Sequence, residues 1–372
     1  MMDNINRYHF QIIYCAAKKK IGNEIKRMEN FELNLSQASD FLIDCPIQEA
    51  DEVLDLAHEI LMRVMKYRRA ASSEEACRVS CPLCHSPHLT KIISAIHKNK
   101  LINFVLPAFP GKSPNLSKVL GVLPDMAERL ALQSLNQICQ EIESIYSPGV
   151  NMILCSDGRV FSDIVGIRET DVTAYQNELA LMIDELQFKH LLTFNLDEFA
   201  VSQDFKDARL HLMEKFGTSQ EELREKVLRG SKGLGHSEDE GTHRMYCGIT
   251  RFLVEDSHFP GQTKSRAAIQ KECKAKAYEV IRRSNAWSEL IEDYFPEAVR
   301  LSIHPHECGS KKLGIRLIGT ESWMTPWHGV AVKTQNGFVL MKQAEAHALG
   351  YQLVFGSQGR ASHFEIGSGN CT

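Results

Sequence analysis

"LINFVLPAFPGKSPNLSKVLGVLPDMAERLAL", residues 101–132, decides how this chain is read. It opens on an apolar run of strand length, breaks into the loop "FPGKSPN" (109–115), and resumes with apolar residues at helical spacing. Proline fixes φ and donates no ladder hydrogen bond, so the chain must leave the sheet here in a defined shape. Asp125 and Glu128 fall in the first turn of the helix, where the helix dipole favours acidic residues. The outcome is a strand–loop–helix unit whose stiff loop carries Lys112, Ser113 and Asn115.

The unit recurs. "VNMILC" runs into "SDGRVFSD" and the helix "VTAYQNELALMIDELQ"; "HLLTFNL" runs into "DEF" and further helical sequence. Such alternation predicts an α/β fold built on a mainly parallel, Rossmann-like sheet with helices on both faces. Ahead of it, "QEADEVLDLAHEILMRVMKYRRA" and "LTKIISAIHKN" place an N-terminal helical region, residues 1–99, packed on the main domain. Residues 100–372 then form the catalytic α/β domain, with a helical insertion at 200–296. Inside the insertion "RGSKGLGHSEDEGTH" (229–243) has the glycine, serine and charge content of a mobile lid loop. The chain ends in a β-rich section: "AVRLSIHPH", "KLGIRLIG", "HGVAVK", "FVLM" and "YQLVFG", with the short helix "KQAEAHAL" before the last.

At 372 residues and 43% apolar content the chain can bury a large core. Its 43 Lys+Arg against 47 Asp+Glu leave a net charge of -4, which argues against a protein that coats nucleic acid or an acidic membrane. Small molecules are the expected partners. The opening "MMDNINRYHFQIIYCAAKKK" reverses the order of a secretory signal, and no run approaches membrane-spanning length, so a cytoplasmic protein is expected. The 11 cysteines are odd in number and scattered, which reads as reduced thiols.

"PGKSPN", "SDGR" and "HPH" each follow an apolar β-like run directly and so fall at strand C-termini, where open α/β sheets bind ligands. Their convergence would gather Lys112, Ser113, Asn115, Asp157, Arg159 and His304, with His328 from "TPWHG", around one pocket. Singly, each has a plainer reading: a solvated lysine, a turn aspartate, a packed histidine. The coincidence of several such loops favours a site.

"CRVSCPLC" (77–84) offers three metal-centred alternatives. Its spacing fits a radical-type iron–sulfur cluster, but it sits between helical segments rather than after an early strand. "CPLCH" matches a c-type haem attachment, which an unexported chain would not use. Zinc on Cys77, Cys81, Cys84 and His85 or His88 suits the donors best, and a metal-stabilised binding module built on Cys77–His88 is the competing reading of the whole protein. The expected active site itself contains no metal. "GSKGLGH" is only a weak phosphate-loop match, with no strand before it.

Taken together, "FVLPAFPGKSPNLSKVLGVLPDMAERLAL", "YSPGVNMILCSDGRVFSDIVGI", "YCGITRFLVED", "VRLSIHPH" and "TPWHGVAV" resemble the isocyanide (isonitrile) synthases related to the pyoverdine and dityrosine biosynthesis proteins. The resemblance covers most of residues 100–345. It implies an enzyme that turns the α-amino group of an L-amino acid, typically tyrosine or tryptophan, into an isonitrile. C2 of ribulose 5-phosphate becomes the new carbon, through imine formation, C–C cleavage and phosphate elimination. Ribulose 5-phosphate is then a co-substrate and no cofactor is called for. Lys112, Asp157, His304 and His328 are the expected catalytic groups, with Lys112 either a cation or a Schiff-base amine. Ser113, Asn115, Lys118, Arg159, Lys311, Lys312 and Arg316 are the expected binding groups for phosphate and carboxylate. Fungal members fuse a dioxygenase-like domain that this length does not accommodate, so later oxidation is expected from a separate oxygenase. Another sugar-phosphate lyase or transferase on the same site is the nearer alternative.

Overall fold

Five strands form the main sheet: β1 (Ile102–Pro107), β2 (Val150–Ser156) and β3 (Leu191–Asn195), announced by the alternating pattern, joined by β4 (Val299–Ser302) and β5 (Leu313–Gly314) from the section read as β-rich, in the order β3-β2-β1-β4-β5. The β2–β3 and β4–β5 pairings are parallel. The burial of β1 and β2 is nearly continuous, as expected of strands covered on both faces. This computed structural model describes residues 47–69, 81–199, 204–233, 237–259, 261–306, 308–318, 324–356 and 359–367. Cys77 lies outside the described residues. Among the described residues no helix is long and apolar enough to cross a membrane.

Packing divides the chain into two compact units, one from residues 1–104, 140–150 and 297–315, the other from 105–139, 151–296 and 316–372. The smaller unit is thus assembled from three separate stretches of the chain. Among the described residues its helices are α1 (Ile47–Met65) and α2 (Pro82–His97). Ala57, Ile60, Leu61 and Val64 recur at the spacing of one helical face, and all are buried. Helix α2 starts earlier than the apolar period indicates, because Pro82 occupies its first turn, where a missing N–H is harmless and φ is already set. Around it Lys91 Nζ donates to Ala298 O at 2.8 Å and Tyr146 Oη to Lys100 O at 2.6 Å.

The larger unit holds α3 (Met126–Glu143), α4 (Gly158–Val165), α5 (Glu169–Glu185) and the four-residue α6 (Leu196–Phe199). The helical insertion comprises α7 (Phe205–Phe216), α8 (Gln220–Ser231), α9 (Ser237–Asp256) and α10 (Arg266–Tyr294). The stretch expected to be a lid loop is corrected by these spans. Helix α8 runs to Ser231 and α9 begins at Ser237, with 234–236 outside the described residues. A Cβ on Gly230 would lie 2.1 Å from Asp239 O, so the glycine serves close helix packing rather than movement. Arg229 Nε pairs with Asp239 Oδ2 at 2.9 Å, and Glu238, Asp239 and Glu240 sit at the positive end of α9.

After a short 3₁₀ turn (Pro326–His328), a second sheet forms from β6 (Val330–Thr334), β7 (Gly337–Met341), β8 (Tyr351–Phe355) and β9 (Ala361–Ile366), ordered β7-β6-β9-β8, with α11 (Gln343–Ala348) beside it. β6 and β9 are parallel; the other pairings are antiparallel. "ASHFEI" gave no strand signal because only Phe364 of β9 is fully buried. Ala331 and Leu340 pack with Ala127, so this sheet supports the first turn of α3.

The tightest joint of the larger unit is at Gly158, where a Cβ would stand 1.9 Å from Pro110 O. Gly158→Ala is expected to lower stability by about 1–3 kcal/mol in denaturant unfolding, as overpacking does. Gly121→Ala, where a Cβ meets nothing within 4 Å, should leave the midpoint unchanged.

Candidate active site

The loop after β1 holds a strained conformation. Phe109 has φ of 59° and Gly111 of 126°. A bulky residue in the left-handed region before proline costs on the order of 1–3 kcal/mol and persists only when its surroundings over-determine it. They do so here. Phe109 is fully buried, its ring centroid is 5.4 Å from that of Trp327, and its carbonyl accepts from Ser156 Oγ at 2.9 Å. Ser113 N donates to Trp327 O at 2.9 Å. "FPGKSPN", "SDGR" and "TPWHG" are therefore joined within the larger unit.

Lys112 is the centre of that junction and has no solvent exposure at its side chain. Its Nζ lies 2.8 Å from Asp125 Oδ2 and 2.7 Å from Glu128 Oε2, and donates to Pro326 O at 3.2 Å. The two carboxylates hold the ammonium as ion pairs and the Pro326 carbonyl accepts one of its protons. Glu128 Oε2 also accepts from Asp125 N at 3.0 Å, while Oε1 accepts from Tyr175 Oη at 3.2 Å. Both ionised, the two carboxylates would leave one excess negative charge in a dry pocket. Burial therefore pushes the Glu128 carboxyl up to about 7, against the pull of Lys112. Although burial alone would lower it, the two acids raise the Lys112 pKa, so the side chain stays an ammonium. That state disfavours the free amine a Schiff base would need. Tyr175 is raised well above the usual phenol value, by burial first and then by Glu128, Asp125 and Asp157.

A second centre lies along the same loop. Lys118 Nζ is 2.5 Å from Asp256 Oδ1 and 3.4 Å from Glu255 Oε2, and Ser113 Oγ donates to Asp256 Oδ1 at 3.0 Å. Asn115 Nδ2 donates to His258 O at 2.8 Å and Glu255 O at 3.2 Å, while its Oδ1 accepts from Ser117. Burial raises Asp256, with Lys118 opposing. The ring of Phe252 stands 4.6 Å from His328 and 5.5 Å from Lys118 Nζ. His328 Nδ1 is 2.8 Å from Thr325 Oγ1, a contact that orients the half-buried imidazole.

Of the expected site residues, Lys112, Ser113, Asn115, Lys118 and His328 thus share one neighbourhood, and half-buried Asp157 precedes α4 at its edge. Arg159 is committed elsewhere: its guanidinium meets Glu169 Oε2 at 3.1 Å, Thr173 Oγ1 at 2.6 Å and Asp197 Oδ2 at 3.4 Å, and it stacks 3.8 Å from the Phe205 ring. His304, Lys311 and Lys312 belong to the smaller unit and Arg316 to the larger. In chain order Lys112 follows β1, Asp157 follows β2 and exposed His304 follows β4, strands that are neighbours in the sheet.

Asp125, Glu128, Tyr175 and Asp256 complete the two centres, and none stood out as a site residue in the sequence. Asp125 and Glu128 looked like dipole-favoured first-turn acids, which they also are. Their D-x-x-E spacing, with Glu128 returning to the Asp125 N–H, is a capping-box signal that could have drawn attention to them. Tyr175 and Asp256 lie far along the chain, and nothing local marks them.

A buried cation held between carboxyl groups, with a phenol against one of them, places groups able to exchange protons side by side. The family model described as pyoverdine/dityrosine biosynthesis protein matches residues 92–354. An L-tyrosine isonitrile synthase of Pseudomonas aeruginosa is 41% identical over 324 residues, covering 84% of this chain and 94% of the relative. The L-tryptophan isonitrile synthase AmbI2 of Fischerella ambigua is 40% identical over 311 residues, covering 83% and 91%. The crystal structure of the PvcA protein from Pseudomonas aeruginosa superposes with a TM-score of 0.77 at 41% identity, over 84% of this chain and 100% of that one. The chain belongs to the pyoverdine/dityrosine biosynthesis family of isocyanide synthases.

Lys112→Met would strand two buried carboxylates and should cost about 3–5 kcal/mol in unfolding experiments. Adding Glu128→Gln should recover part of that loss. Since the raised Glu128 pKa stabilises the fold fully only below its unfolded value and the effect is lost as pH rises through about 7, wild-type stability should fall across that window. Glu128→Gln should flatten that dependence.

Proposed function

We propose that the protein is an L-tyrosine or L-tryptophan isonitrile synthase, with C2 of ribulose 5-phosphate as the source of the isonitrile carbon. The reading is carried by the buried Lys112–Asp125–Glu128–Tyr175 cluster beside half-buried Asp157 and His328. The relatives' names support the amino acid class. In the proposed sequence the substrate amine condenses with the sugar ketone, two C–C bonds at the former carbonyl break, and phosphate leaves with the sugar remnant. Each stage needs protons moved near neutrality, which suits the residue type of His328 and the Glu128 carboxyl, pushed up to about 7.

In this division of roles Asp157 and His328 meet the substrate, and Lys112 acts as a fixed positive charge that sets their field. Lys118 and Ser113 receive the phosphate, because Glu255, one of the Lys118 partners, is half exposed and can be displaced. Arg316, in the larger unit, is the remaining candidate for the carboxylate. The scheme calls for no redox cofactor and leaves oxidation of the isonitrile to a separate oxygenase.

Purified protein given ribulose 5-phosphate labelled with ¹³C at C2, together with tyrosine or tryptophan, should yield one product heavier by a single labelled carbon. Unlabelled product would rule out the sugar as donor; no isonitrile from either amino acid would sink the amino acid assignment. In that assay kcat/KM should change as pH passes through about 7, and Glu128→Gln should remove that limb. Lys112→Met, assayed where it remains folded, should lose roughly a hundredfold or more in rate.

A further inference from the structure

The smaller unit contains a cluster that the isonitrile chemistry does not use. Cys81 and Cys84 flank the start of α2, and Cys308 arrives from the turn after β4, 224 residues beyond Cys84. Cys308 Sγ is 3.4 Å from both Cys81 Sγ and Cys84 Sγ, and the three sulfurs all lie within 4.8 Å of one another. None of the three is joined in a disulfide. Gly309, at φ of 80°, lets the chain turn directly after Cys308, and a Cβ there would be 4.0 Å from Leu83 O. The turn is pressed against "CPLC".

Three thiols gain little by facing one another, since S–H is a weak donor and sulfur a weak acceptor. A tetrahedral ion with Zn–S bonds of about 2.3 Å holds its sulfurs about 3.8 Å apart, close to the spacing here. Disulfide sulfurs stand about 2.05 Å apart, and three cysteines cannot all pair. A four-iron cluster is itself several ångströms across and would spread its thiolates more widely. A haem joined to Cys81 and Cys84 would have to displace Cys308 from between them.

Arg68 Nη2 donates to Cys84 Sγ at 2.9 Å, and Cys81 and Cys84 lie at the positive end of a 16-residue helix. Cys84 is buried, and a small cavity beside it is also lined by His88 and His306. We infer that Cys81, Cys84 and Cys308 bind a zinc ion that ties the start of α2 to the turn after β4. The site is structural: it closes a loop of more than two hundred residues, and a metal that ties such a loop adds to stability.

The full chain, purified without chelator and dialysed, should carry about one zinc per molecule by elemental analysis. A mercurial thiol reagent should release it. Cobalt exchanged into the wild-type protein should give tetrahedral d–d bands and a thiolate charge-transfer band whose intensity corresponds to three or more sulfurs. Cys308→Ser should lose most of the metal, whereas Cys139→Ser and Cys273→Ser, buried cysteines elsewhere, should keep it. Substoichiometric metal, iron–sulfur absorption, a disulfide among the three, or zinc unchanged in folded Cys308→Ser would each overturn the assignment. If Cys308→Ser does not fold, the wild-type cobalt spectrum decides alone. None of these readouts depends on catalysis, so the inference stands or falls apart from the proposed reaction.

Discussion

One ammonium group shared between two carboxylates organises the larger unit. Moving Lys112, Asp125 and Glu128 out of water costs several kcal/mol per ion, and only close, fully hydrogen-bonded geometry repays it. The loop after β1 must therefore deliver Nζ to the first turn of α3, with the Pro326 carbonyl completing its donors and Tyr175 capping the far oxygen of Glu128. Each element is held to a narrow position by the same requirement. The left-handed Phe109 is the local strain that this delivery entails, and the Trp327 ring and Ser156 hydroxyl hold it in place.

The imbalance of the cluster gives it chemical meaning. One cation beside two acids leaves a proton in play, and burial places it on Glu128 near neutral pH. The Lys118 centre also sets a lysine against two acids, Asp256 and Glu255, but Glu255 is half exposed and pairs with Lys342 as well, at 3.3 Å. Along one loop the environment thus grades from dry to wet, from a charge that cannot leave to one that can exchange its partner. Arg159 illustrates the opposite fate. Surrounded by Glu169, Thr173, Asp197 and the Phe205 ring, it joins α4 to its neighbours.

Much of the fold was legible locally. An apolar run ending at prolines located β1, one running into "SDGR" located β2, and helical sequence located α1, α3 and α5. β9 escaped because it carries a single buried side chain, and "RGSKGLGHSEDEGTH" misled because glycine used for close helix contact has the same composition as glycine used for flexibility. The site was legible in its basic half. Lys112, Ser113, Asn115 and Lys118 stood out from their loop, while the acids that answer them were hidden as ordinary helix-start residues.

By itself the sequence determined the order of strands and helices, the stiff loop after the first strand and, through its long motifs, the family. These depend on neighbours a few residues apart, which hydrophobic period and proline geometry report directly. Only the tertiary structure decided which charges and thiols meet: Lys118 with Asp256 across 138 residues, and Cys81 with Cys308 across 227. A residue's local pattern says which face of its element is buried, but not which distant segment will be packed against that face.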